Sequence, residues 1–181
     1  DDDIIIKDIS ISFMLDVIIR CKDVGIVSPD IIDSVSMEVI NPLCSRKYKL
    51  PTFYEACFLI RADIFNNIGF FDSKLKYAGE GMDYALRIEK SGYKVCRLHD
   101  ISVIHYDRPR DCSESLERRI QWVWSFSYVY WKNLSSPRAF FWSSRNLISH
   151  IKSGMPLFGP SILFPVILGS IQGALAGYRL R

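Results

Sequence analysis

The chain has 181 residues, 49% of them hydrophobic and 13% aromatic, enough to bury a core in one domain or in a domain with an appendage. A formal net charge of +3 is too small to argue for a nucleic-acid partner. Five cysteines, with no Cys-x-x-Cys pair and no signal peptide, argue against a disulfide framework or a structural zinc and suit reduced thiols in a cytosolic compartment.

In chain order, Asp1-Asp2-Asp3 comes first. Three adjacent carboxylates repel one another unless they are solvated or hold a cation, and a hard divalent ion takes oxygen ligands of this kind. From Ile9 to Lys22 the apolar residues Ile11, Met14, Leu15 and Ile18 recur at helical spacing. Val24-Gly25-Ile26-Val27, closed by Ser28-Pro29, predicts a buried strand. Residues 30–50, with Asn41-Pro42 and the basic Arg46-Lys47-Tyr48-Lys49, predict a loop or hairpin. Thr52 to Ile60 predicts a strand, Ala62 to Ile68 a short helix stopped by Gly69.

The stretch from Lys76 to Tyr93 concentrates the chemistry. A helix starting near Glu80 puts Glu80, Asp83 and Arg87 on one face and Met82, Ala85 and Leu86 on the other, and Gly92 stops it. Two carboxylates at a helix mouth are candidates for general-base work. The same spacing also allows Asp83 to pair with Arg87 at i,i+4 on a solvated face, with Glu80 merely favouring the helix N-terminus.

Lys94 to Leu98 and Ile101 to Tyr106 predict two short strands, the second carrying His105. Asp111 to Leu134 predicts a helix with an apolar and aromatic stripe of Ile120, Val123, Trp124, Tyr128 and Trp131, more in keeping with core than with a ligand box. Ser136-Pro137 caps a further helix that Gly154 stops. Met155 to Tyr178 contains no charged residue and is flanked by Lys152, Arg179 and Arg181. It is long enough to span a bilayer, yet its prolines and glycines suit a helix lying in the membrane interface equally well, and a buried C-terminal helix would look the same. Alternating strands and helices give an α/β class with helical additions at the C-terminus.

Taken together, these pieces resemble the second half of a GT-A-fold glycosyltransferase of the bacterial family 2, rhamnosyltransferase-like type. Asp1-Asp2-Asp3 looks like the DxD motif. Ala56-Cys57-Phe58-Leu59-Ile60-Arg61 followed by Gly69-Phe70-Phe71-Asp72 looks like the strand, arginine and G-x-F-D segment. Glu80 to Tyr93 looks like the acidic helix motif, usually E-D-x-D-L-x-x-R. His105 sits where the family ends a strand on histidine, and Arg145-Asn146 with Gly173 to Gly177 resembles the tail of membrane-peripheral members.

The resemblance implies an incomplete GT-A (Rossmann-like) domain with a mixed sheet. Residues 1–110 would form the acceptor-side, metal-binding half, and 111–181 a helical, membrane-proximal extension. Asp1 and Asp3 would hold Mg²⁺ or Mn²⁺ against a nucleotide-sugar donor, with His105 as third protein ligand. A carboxylate of the acidic helix would deprotonate a saccharide or lipid-linked acceptor, giving inversion. In that motif the residue after the glutamate is an aspartate, the expected base. Here it is Gly81, so the role passes to Glu80, which has the longer reach, or to Asp83.

Arg61 and Arg87 are expected to be structural or phosphate-facing. The implied setting is cell-surface polysaccharide synthesis, peripheral at the inner face of the cell membrane. The nucleotide-binding half would precede Asp1, so this stretch is expected to be inactive alone. The alternative is a non-catalytic acceptor-binding or membrane-docking module. A third reading is an unrelated membrane-peripheral α/β domain.

Overall fold

The computed structural model describes residues 3–40, 50–106 and 115–180. By its internal contacts the chain divides into two units, Asp1–Asp72 with Gly81–Arg110, and Ser73–Glu80 with Asp111–Arg181.

The first unit is built on a four-stranded mixed sheet, in keeping with the α/β expectation. Its strands are β1 (Ile4–Ile5), β2 (Val24–Asp33), β3 (Leu59–Ile60) and β4 (Lys94–His105), in the order β1-β4-β2-β3. β2 and β4 run parallel at the centre, and the two-residue strands on either side are antiparallel to their neighbours. Both faces of β2 are covered, which explains its continuous apolar run. Val27 and Ile31 pack with Met14 and Ile18 of α1 (Asp8–Arg20) on one face. Ile26 packs with Ile64 of α2 (Ala62–Ile68) and with Tyr84, Ala85 and Ile88 of α3 (Glu80–Lys90) on the other. Gly69 and Gly92, at φ 81° and 90°, end α2 and α3 in the left-handed region that favours glycine.

Three strand expectations need correction. Ser28-Pro29 does not end β2. A register shift between Pro29 and Asp30 forms a bulge that absorbs the missing proline N–H, and pairing continues to Asp33. The same register shift leaves β4 one strand instead of two. Residues 52–58 are irregular, because Phe53 enters one core and Cys57 the other with a turn between them. Of the expected 30–50 loop, residues 30–33 belong to β2, and 41–49 lie outside the described residues.

The second unit is helical: α4 (Leu116–Asn133), α5 (Ser136–Phe158), a 3₁₀ turn (Gly159–Ile162) and α6 (Leu163–Tyr178). Ser115 caps α4, its hydroxyl accepting from the Arg118 N–H at 3.2 Å. Of the α4 stripe, Val123 and Tyr128 are fully buried as core, whereas Ile120, Trp124 and Trp131 are half-buried. Gly154 does not stop α5. A Cβ there would collide with Ile162 and lie 3.2 Å from Arg119 Cδ, so this glycine is a packing residue inside the helix. It makes room for buried Arg119, which donates to the His150 carbonyl (2.9 Å) and Ser153 Oγ (2.6 Å).

α6 meets α4 along a glycine seam. A Cβ at Gly173 would lie 2.9 Å from the Trp124 carbonyl carbon and 3.0 Å from its Cα, and one at Gly177 would lie 2.9 Å from the Lys132 nitrogen. Main chain thus packs against main chain, pinned by a buried Ser127–Ser170 hydroxyl pair at 2.9 Å.

Candidate functional site

The parallel register of β2 and β4 sets Asp33 opposite His105, and the antiparallel register of β1 sets Ile4 opposite His105. Asp3, one residue before β1, accepts the Tyr106 N–H on its main-chain oxygen at 2.7 Å. These pairings bring Asp3 Oδ1 to 3.4 Å from His105 Nε2, with His105 almost fully buried. That separation is long for a hydrogen bond, and Asp3 Oδ1 is buried without a hydrogen-bond donor. A buried, undonated carboxylate oxygen facing an imidazole suits a shared cation, because direct ligand bonds of about 2–2.6 Å would satisfy both groups. Asp1 lies outside the described residues. Among the described residues there is no cluster of three or more His, Cys, Asp or Glu donors.

Asp33 is close by but serves its own loop. Its Oδ1 accepts from the Ser36 N–H at 2.6 Å and the Val35 N–H at 3.0 Å. The Ser36 backbone and hydroxyl, then Val35 and the nearby His105, hold its carboxyl below the usual aspartate range. The Tyr54 ring meets His105 edge-on at 6.3 Å.

The acidic helix differs from the solvated face allowed by its spacing. Asp83 is completely buried and accepts from Arg87 Nε at 2.9 Å. Arg87 also donates to the Ile68 and Phe70 carbonyls at 3.0 and 2.9 Å and lies over the Tyr84 ring at 4.6 Å. Arg87 therefore ties the end of α2 to α3, and Asp83 neutralises it. Arg61 is likewise engaged within the fold, donating to the Ile18 carbonyl and to Asp63. Glu80 is the first residue of α3 and is half-buried, and it closes the segment assigned to the second unit.

One carboxylate escaped the sequence reading. Glu55 Oε1 accepts the Gly81 N–H at 2.6 Å at the N-terminal end of α3. A Cβ at position 81 would collide with that carboxylate and stand 2.8 Å from the Phe53 carbonyl oxygen. Neither periodicity nor spacing marks Glu55. The glycine inside an acidic motif was the available signal, since it asks what fills the space.

In the second unit, α5 carries two exposed stripes. Arg138, Arg145 and Lys152 recur every seven residues, and Phe141, Ile148 and Met155 recur at the same interval beside them. The outward face of α6 is apolar, with Phe164, Ile171 and Leu175 more than half exposed. No Asp or Glu follows Glu117 in the sequence. The helical run Ser136–Tyr178 is long and apolar enough to cross a membrane, and only 28% of its most apolar window is buried. A groove of about 420 Å³ opens between α5 and α6, lined by Trp131, Phe140, Leu147, Ile171, Leu175 and Tyr178 among others.

Comparison with known proteins adds an independent line. The family model described as glycosyl transferase family group 2 matches residues 43–178. A search of curated proteins found no match. Among solved structures, the chain is similar to mannosyltransferase PcManGT from Pyrobaculum calidifontis, determined with GDP-Man and Mn²⁺. Identity is 19% and the TM-score 0.43, over 86% of this chain and 43% of that one. This chain therefore spans less than half the length of that protein. Because the family match takes in the 56–72 segment, the acidic helix, His105 and the apolar tail, the chain belongs to glycosyl transferase family group 2.

Proposed function

We propose that this chain forms the acceptor-side part of an inverting glycosyltransferase that moves a sugar from a nucleotide-sugar donor to a saccharide or lipid-linked hydroxyl in cell-surface polysaccharide synthesis. The observation that carries it is the pairing of Asp3 with His105 at the sheet edge, where a buried carboxylate oxygen lacks a donor. Asp3 and His105 would hold Mg²⁺ or Mn²⁺, with Asp1 completing the protein ligands. Such a cation, when bound, stabilises the negative charge that grows on the leaving diphosphate.

The chain's own groups then handle the acceptor. As its oxygen bonds to the anomeric carbon, the hydroxyl proton goes to a carboxylate at the N-terminal end of α3. Of the two that the sequence offers there, Asp83 is bound by Arg87, leaving Glu80 as the candidate on the helix itself.

The second unit supports residence on an anionic lipid surface. Paired basic and apolar stripes on α5, an apolar outer face on α6 and the lack of acidic residues after Glu117 match a helix lying in the interface. The apolar groove suits the hydrocarbon of a lipid-linked acceptor. On this reading the protein is peripheral at the inner face of the cell membrane.

The test uses this chain joined to a nucleotide-binding half: Mn²⁺ is titrated while nucleoside-diphosphate release from GDP-, UDP- and dTDP-linked hexoses is followed. Asp3→Asn and His105→Ala are expected to abolish the metal-dependent release. Metal dependence unchanged in both variants would refute the assignment.

A further inference from the structure

Glu55 is a carboxylate of the first unit that the function so far leaves unused. It is exposed, yet its carboxylate is fixed by the Gly81 N–H at 2.6 Å. The chain is anchored on both sides of it. Phe53 is buried in the core, with its carbonyl oxygen against Gly81. Tyr54, the residue between, lays its ring edge-on to His105 at 6.3 Å. The Phe53-Tyr54-Glu55 segment therefore links the Asp3–His105 pair to the start of α3, Glu55 being the residue that follows the one whose ring meets His105. Position 81 has no side chain of its own, and the Glu55 carboxylate occupies the space one would need.

We infer that Glu55 supplies the carboxylate of this helix end and is the base that takes the acceptor's proton, an inference that rests on the glycosyl-transfer reading above. In the step, the acceptor O–H proton passes to the Glu55 carboxylate and the oxygen's electron pair forms the new bond to the anomeric carbon. The bond from that carbon to the diphosphate breaks, and its electron pair leaves on phosphate oxygen. A carboxylate has two oxygens and about four lone-pair sites, so the bond from Gly81 orients the group without exhausting its capacity to accept. Glu80, on this assignment, does not take the proton.

The plainer role for Glu55 is a cap on α3, and the test separates the two. Glu55→Gln keeps an amide oxygen for the Gly81 N–H, so the cap and the melting temperature persist while the base is removed. With the chain joined to a nucleotide-binding half and given GDP-, UDP- and dTDP-linked hexoses, Mn²⁺ and a saccharide acceptor, kcat is expected to fall about 10²–10⁴-fold with donor binding unchanged. If Glu55→Gln lowers the melting temperature, Glu55→Asp decides, because a carboxylate one methylene short should still bind donor but turn over slowly. Parental kcat in Glu55→Gln, or in Glu55→Asp where that variant decides, overturns the inference and leaves the functional reading standing. A parent protein that, joined to that nucleotide-binding half, releases no nucleoside diphosphate from any of these donors overturns the functional reading, and this inference with it.

Discussion

Replacing Asp83 by alanine should show what the buried pair in α3 contributes. Asp83 is fully inaccessible and bound to Arg87, whose side chain is only 18% exposed. Removing one partner of a buried ion pair typically costs about 3–5 kcal/mol, because the other charge stays behind uncompensated. Arg87 would retain the Ile68 and Phe70 carbonyls and the Tyr84 ring, so the lower end, about 3 kcal/mol, is expected. For a chain of this length that corresponds to a fall of about 6–12 °C in melting temperature. Asp16→Ala is the matched control. It breaks an i,i+4 pair with Arg20 at 2.6 Å, but one whose side chains are 48% and 77% exposed. Such pairs are worth about 0.3–0.5 kcal/mol. Melting followed by circular dichroism compares the two. An Asp83→Ala shift no larger than that of Asp16→Ala would refute the argument that burial, and not spacing, sets the value of this pair.

Two further outcomes are expected in the helical unit. Gly173→Ala drives a methyl group into the Trp124 main chain, which cannot yield as a side-chain tip would, and should cost about 1–3 kcal/mol. Gly169→Ala, whose nearest neighbour is the Ile120 side chain at 3.0 Å, should cost less, and equal melting shifts would contradict the seam. The triple variant Arg138→Glu/Arg145→Glu/Lys152→Glu should lose co-sedimentation with phosphatidylglycerol vesicles, at about 1 kcal/mol per basic residue removed from the surface. Unchanged binding, or equal binding of the parent to neutral vesicles, would count against the lipid docking.

The sequence made the regular elements legible where one force dominated. α1 and α4 announce themselves by apolar spacing, α2 by the glycine that stops it, and the Val24–Val27 run by its unbroken burial. Pro29 and Gly154 misled because each usually interrupts structure. A bulge accommodates the first, and the close approach of Arg119 and Ile162 explains the second. Both are tertiary facts that no local window contains. At the site, the approach of Asp3 to His105 depends on β1 and β4 pairing in one register across about a hundred residues of sequence, which spacing alone does not encode. The Asp83–Arg87 pair was legible as a pair but not as a buried one. Glu55 was invisible because its partner lies 26 positions away.

The glycine seam between α4 and α6 also bears on how this part of the chain can change over time. Where main chain rests on main chain, the seam is fixed by a few positions, Gly173 and Gly177 foremost. The outward residues of α6, such as Phe164, Ile171 and Leu175, contribute little to that contact. Substitution should therefore be tolerated unevenly along the helix. An outward position away from the groove, such as Phe164, can drift among apolar residues, while the seam accepts almost nothing larger than hydrogen. A saturation scan of α6 should accordingly show the strongest intolerance at Gly173 and Gly177, further intolerance at the buried Val166 and Ser170, and tolerance at Phe164.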